Sequence, residues 1–121
     1  MRLRKRILLV EDDEITVALT RRMLVDAGYR VDAAVESGNA IKLLTSHIYD
    51  LVILDISMPT LSGFDLVQLM ESFHIDSKIA FLTNLEDELT LAKVKKVKIN
   101  RLISKERELK NLTEIVSEIL A

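Results

Sequence analysis

Cysteine is absent from this chain of 121 residues, which excludes a disulfide framework and any thiolate metal centre. The same absence fits a reducing compartment, and the cytoplasm is the expected location. One proline and three glycines leave no Pro/Gly-rich linker, and no repeat or low-complexity stretch breaks the sequence. Charge of one sign is not in excess: 17 Lys+Arg stand against 19 Asp+Glu, for a net −2. That balance argues against a protein built around wholesale phosphate-backbone binding. Long apolar runs are missing too. The start, Met1-Arg2-Leu3-Arg4-Lys5-Arg6, is basic like the n-region of a signal peptide, but the apolar run after it ends at Val10. A signal peptide needs about 7–15 apolar residues there and a membrane helix about 20. The segment reads as a solvated lead-in to a first strand, with no membrane partner expected.

Hydrophobic residues, at 49%, are plentiful, and Leu, Ile and Val dominate them. A chain of this length can bury one sizeable core, so residues 1–121 are expected to form a single domain. Short β-branched runs alternate with helical periodicity. Ile7-Leu8-Leu9-Val10 is continuous and apolar, as in a strand buried on both faces, and it stops at Glu11-Asp12-Asp13. Ile15, Leu19, Met23 and Ala27 recur at four-residue spacing and predict a helix with an apolar stripe, closed by Gly28 in a left-handed cap. Residues 29–34 read as a weaker edge strand. Ser37 is a candidate N-cap for a helix carrying Ala40, Ile41, Leu43 and Leu44. Residues 50–55 form a second intensely apolar run ending in Asp55, followed by a loop over 57–63 and a helix over 64–73. A fourth strand spans 78–82, a helix 85–97, a short fifth strand 101–103, and an amphipathic helix 106–120. Five βα units with short connections predict an α/β domain, a doubly wound parallel sheet covered on both faces.

Such folds bind ligands beyond the carboxyl ends of their strands, where strand order reverses. Past the first strand lie Glu11, Asp12 and Asp13; the third ends in Asp55; the fourth is followed by Thr83; the fifth by Ser104 and Lys105. Crowded carboxylates repel unless a cation neutralises them, and a hard divalent ion with oxygen ligands is the natural partner. Lys and Thr are suited to holding phosphoryl oxygens. Residue chemistry alone therefore points to an acidic, Mg²⁺-compatible site for phosphate chemistry.

The acidic run after Ile7-Leu8-Leu9-Val10, then Leu54-Asp55 with Met58-Pro59 and Gly63, then Thr83 and Lys105, resembles the receiver domain of two-component response regulators. The resemblance spans essentially the whole chain in the family's order. It implies a flavodoxin-like strand order, 2-1-3-4-5. It further implies that Asp55 is the phosphoacceptor, a carboxylate nucleophile that takes a phosphoryl group from a phosphohistidine. Glu11 and Asp12 match the acidic doublet, with Asp12 ligating Mg²⁺ directly, Glu11 acting mainly through water, Asp55 contributing its own carboxylate and Ser57 its backbone carbonyl. Thr83 matches the hydroxyl that closes on the phosphoryl group, and Lys105 the ammonium that pairs with it. The implied partners are a histidine kinase or phosphotransfer protein, an effector or output domain, and a second copy through the fourth-helix, fifth-strand and fifth-helix face. Such a domain catalyses its own phosphorylation and dephosphorylation only and is not otherwise an enzyme.

Three positions depart from the family. Receivers usually follow this Lys with a cis proline, whereas Glu106 follows here, so a trans peptide and an altered approach of Lys105 are expected, with Glu106 competing for the ammonium. Leu102 occupies the place of a switch aromatic, which predicts a smaller or differently located response to phosphorylation. Asn84, after Thr83, is bulkier than the usual Ala or Gly and predicts slower phosphoryl turnover. Duller readings stand beside these. Asp13 is a helix-start acid, Thr83 a cap for the helix after it, and Met23, Phe64, Met70 and Phe81 are core. His47 and His74 are read as isolated from each other and from the acids. The basic stretch Lys93, Lys95, Lys96, Lys98 and Arg101, and the acids Glu106, Glu108, Glu114 and Glu118, read as solvated faces. No helix-turn-helix segment remains, so direct nucleic-acid binding is not expected. The alternative is a pseudoreceiver that docks proteins without phosphorylation. An FMN carrier would need a hydroxyl- and glycine-rich loop where three acids stand, and a phosphatase using Asp55 would need a second acid two residues on.

Overall fold

The computed structural model describes residues 4–84 and 87–121. Its five strands are β1 (Arg6–Val10), β2 (Arg30–Ala34), β3 (Leu51–Asp55), β4 (Lys78–Thr83) and β5 (Arg101–Ser104). They form one parallel sheet in the order β2-β1-β3-β4-β5. The helices between them are α1 (Glu14–Asp26), α2 (Ser37–Ser46), α3 (Gly63–Ser72) and α4 (Glu88–Val94). The chain closes with α5 (Lys105–Glu108), a 3₁₀ turn (Leu109–Asn111) and α6 (Leu112–Leu120). The doubly wound α/β fold is as expected, and its strand order reverses between β1 and β3.

Burial on both faces explains the unbroken apolar runs. Leu8, Val10, Val52, Leu54 and Phe81 pack with Ala40 and Leu44 of α2 and Leu66, Val67 and Met70 of α3. Their neighbours Ile7, Leu9, Leu51, Ile53 and Leu82 face Leu24 of α1 and Leu112, Ile115 and Val116 of α6. Met23 and Phe64 are half-buried against these two cores, in line with their expected packing role. Gly28 takes φ +100°, and the N–H groups of Gly28 and Tyr29 return to Val25 O and Leu24 O at 3.0 and 3.1 Å, the left-handed cap the sequence predicts.

Four expectations are corrected. The buried face of α1 carries Thr20 and Leu24, whereas Ile15 is 79% and Leu19 51% exposed. Four-residue spacing overshoots the 3.6-residue turn, so a 15-19-23-27 series winds away from the face it starts on. Ser37 is not the cap of α2. Glu36 holds that position, and the buried Ser37 hydroxyl instead donates to Leu61 O at 3.1 Å and accepts from Leu61 N at 3.2 Å. The last helix is not continuous, because the 3₁₀ turn separates α5 from α6. Helix α4 begins at Glu88, capped by Asp87 accepting from Thr90 N at 2.8 Å, so Thr83 is not its cap. The predicted start at Leu85 lies outside the described residues, as do residues 1–3 of the basic lead-in.

Candidate functional site

Between β1 and β3, the reversal of strand order opens the sheet's carboxyl edge, and the acids gather there. Glu11 follows β1 and is fully buried, its N–H held by Ala34 O at 3.0 Å. Asp55 ends β3 at 5% exposure, and Asp12 is exposed above them. One carboxylate oxygen from each of Glu11, Asp12 and Asp55 falls in a cluster within 4.8 Å. Asp13 turns away to cap α1, accepting from Thr16 N at 2.9 Å and Thr16 Oγ1 at 2.5 Å, and these bonds hold its carboxyl below the usual range. Its own N–H donates to Glu11 Oε2 at 3.2 Å, so the cap also steadies the buried acid.

Lys105, the first residue of α5, reaches into this cluster. Its Nζ pairs with Glu11 Oε1 and donates to Asp55 Oδ2 at 3.1 Å. The peptide bond to Glu106 is trans, and Glu106 is exposed rather than in the site. The lysine thus arrives without a proline after it. Burial lifts the Glu11 carboxyl above its ordinary value, and the neighbouring Asp55 adds to the lift against the pull of Lys105. Burial works to depress the Lys105 ammonium, but its two carboxylate partners outweigh it and raise the group overall. One ammonium shared by two buried carboxylates, with a third acid nearby, leaves the site short of positive charge.

The backbone after β3 is held tightly. Ser57 N donates to Asp55 Oδ1 at 3.0 Å, Ile56 N to Leu82 O at 3.1 Å, and Gly63 N to Ile56 O at 3.0 Å. A Cβ on Gly63 would sit 2.9 Å from Asp55 O and 3.1 Å from the Ile56 Cα, so only glycine allows α3 to start this close to the site. The Ser37–Leu61 pair pins the same loop from the other side. Thr83 ends β4 at 1% exposure, one position beyond the register partner of Asp55. Asn84 is exposed, and Leu102 is half-buried against the core beneath α2 and α3.

Hard oxygen donors in a cluster with a shortage of positive charge suit Mg²⁺, which binds through one or two carboxylates plus waters and phosphate oxygens. A family model of the response regulator receiver domain matches residues 7–117. The chain belongs to this family of two-component signalling domains. It is 37% identical over 83 residues to the regulatory protein VanRB of Enterococcus faecalis, covering 69% of this chain and 37% of that protein. It is 39% identical over 82 residues to the transcription factor SKN7 of Candida albicans, covering 67% of this chain and 15% of that protein. The chain therefore spans well under half the length of these curated relatives. The crystal structure of the response regulator protein TrrA from Thermotoga maritima, in complex with Mg²⁺ and BeF, matches with a TM-score of 0.83 and 32% identity. That match covers 96% of this chain and 99% of the other.

Two features escape sequence reasoning. Glu108, read as part of a solvated face, instead bonds to Ser104 N and Arg101 at 3.0 and 2.6 Å. His47 and His74, read as isolated, line one cavity of about 690 Å³ together with Arg6 and Asp76 at the opposite end of the sheet. Among the described residues, no helix is long and apolar enough to cross a membrane.

Proposed function

We propose that the chain is a phosphoacceptor receiver, taking a phosphoryl group from a histidine kinase or phosphotransfer protein onto Asp55 and changing how it binds an effector or output domain. The observation that carries this reading is the convergence of Glu11, Asp12, Asp55 and Lys105 at the strand-order reversal of a receiver-family chain. The carboxylates of Glu11, Asp12 and Asp55, with the Ser57 carbonyl, would hold Mg²⁺. That ion supplies charge neutralisation for the transferring phosphoryl group. The chain's own residues do the rest. A carboxylate oxygen of Asp55 attacks phosphorus as the phosphorus–nitrogen bond to the donor imidazole breaks, and the imidazole leaves with its proton. Ser57 N–H orients Asp55 through Oδ1. Lys105, already on Oδ2, neutralises the developing charge, and Thr83 supplies a hydroxyl to the phosphoryl oxygens. Ile15 and Leu19, exposed on the helix that leaves Asp12 and Asp13, offer the incoming donor an apolar contact beside the site.

Intact-mass analysis after Mg²⁺ with acetyl phosphate or phosphoramidate tests the reading. One phosphoryl adduct is expected on the wild type and none on Asp55→Asn. No adduct with either donor would favour a docking domain that keeps the fold without phosphorylation.

A further inference from the structure

Lys105 must point its ammonium back across the sheet edge immediately after β5 ends, and the chain gives it no proline to set that direction. What surrounds the junction is a side-chain clasp. Glu108 spans the turn, with Oε1 accepting from Ser104 N at 3.0 Å and Oε2 accepting from Arg101 Nη2 at 2.6 Å. Arg101 runs along its own strand, with Nε donating to Leu102 O at 3.4 Å. The buried Ser104 hydroxyl completes the arrangement as N-cap, accepting from Arg107 N at 3.2 Å. Residue 105 thus sits between a capped strand end and a carboxylate three residues on, in a helix of only one turn. A 3₁₀ turn follows directly, so the geometry at Lys105 is not inherited from a long rigid helix.

We propose that Glu108, together with Arg101 and Ser104, is the positioning residue that aims Lys105 at Asp55, taking the place of a conformationally fixed residue at 106. Its functional consequence rests on the receiver reading, but the aiming of the side chain does not. Glu108 itself touches neither Asp55 nor Glu11 and acts through the backbone of the junction. Loss of its carboxylate frees Ser104 N–H and Arg101 Nη2 together, and the one-turn helix loses the bond that ties its last residue back to its N-cap. An ammonium displaced by even an ångström forfeits much of its effect on a phosphoryl group.

Two measurements test this. In metal-free protein, trace acetylation read by peptide mass spectrometry gives the reactivity of Lys105 relative to Lys110. Wild-type Lys105 is shielded, with its side chain 13% exposed and paired to two carboxylates, and Glu108→Ala is expected to raise the ratio several-fold. Glu108→Gln, which keeps an acceptor for Ser104 N–H, is expected to restore most of the shielding, and it carries the test if the alanine variant does not fold. The second measurement is the rate of Asp55 phosphorylation by phosphoramidate in a double-mutant cycle. Glu108→Ala is expected to slow it about tenfold, and to slow it no further when Lys105→Ala is already present. An unchanged acetylation ratio in Glu108→Ala would overturn the proposal. Equal slowing by Glu108→Ala with and without Lys105 would overturn it too, since a merely structural role predicts that result. If the wild type takes no phosphoryl group, the receiver reading fails, and the acetylation arm still decides whether Glu108 aims the lysine.

Discussion

At the amino-terminal end of the sheet, Arg6 donates its backbone N–H to Asp50 Oδ2 at 2.7 Å and its guanidinium to Asp32 Oδ2 at 3.2 Å. Tyr49 adds its hydroxyl to the same Asp32 oxygen at 2.7 Å, and its ring lies 5.4 Å from the guanidinium. At the carboxyl-terminal end, Glu11 and Asp55 share the ammonium of Lys105, with Asp12 in the same cluster of acids. Both ends pair acids with a cation, yet at the first Asp32 alone takes two side-chain donors, whereas at the second one ammonium serves two buried carboxylates. Burial opposes the charge on Asp32, but Tyr49 and Arg6 outweigh it and keep the carboxyl below its ordinary range. Burial and that same carboxylate push the Tyr49 hydroxyl well up. Glu11 moves the other way, lifted first by burial. The difference separates two uses of one kind of residue: matched charge closes the bottom of the fold, and the excess of acid at the top is an arrangement suited to a cation.

Lys105→Ala should bear on this contrast most heavily. It leaves Glu11 and Asp55 buried without their ammonium, and a loss of about 3 kcal/mol is expected in urea unfolding without metal near pH 8. Added Mg²⁺ should then recover more stability in the variant than it adds to the wild type, and an equal gain in both would break the comparison. Gly63→Ala is expected to cost about 2 kcal/mol, because a methyl group cannot share space with Asp55 O and the Ile56 backbone. A cost near zero would show that the loop holding the site has slack. Tyr49→Phe removes one donor at the matched end and should cost about 1 kcal/mol while leaving the Mg²⁺ response untouched.

The smallest effect is in the pH dependence. Asp32, with its folded value lowered, contributes stability above its ordinary titration range that is lost as pH falls through the folded value. The stability gap between wild type and Asp32→Asn should therefore shrink on acidification, by a few tenths of a kcal/mol for so open a group. Glu11, with its folded value raised, contributes stability that is full below its ordinary value and lost as pH rises through the raised one. Glu11→Gln should flatten that loss with rising pH in metal-free protein, and slopes of the same sign at both ends would refute the contrast.

The acids of the site were legible because each sits where an apolar run ends, and a parallel α/β sheet gathers all such ends on one edge. Order and spacing placed Glu11, Asp12, Asp13, Asp55 and Lys105 on that edge, and the family resemblance singled out four of them, leaving Asp13 as a helix-start acid. The role of Glu108 was not legible, because it depends on the last helix breaking at Leu109, and the apolar periodicity runs through that break unchanged. Ser37 suits an N-cap and a tertiary link equally well by residue type, and only the position of Leu61 decides between them. Ile15 and Leu19 mimic a core stripe because sequence records that a residue is apolar, not which side of the helix finds a partner. His47 and His74 line one cavity only because two loops at the amino-terminal end of the sheet converge in space.

The clasp on β5 also changes what the sheet presents to other chains. β5 is an outer strand, and an outer strand normally offers a row of unanswered N–H and C=O groups on which a foreign strand can template itself. Here Glu108 takes the N–H of Ser104, Arg101 takes the C=O of Leu102, and the strand is only four residues long. Two of the groups along this short border are thus answered by the protein's own side chains, which leaves less of it for a foreign strand to template on.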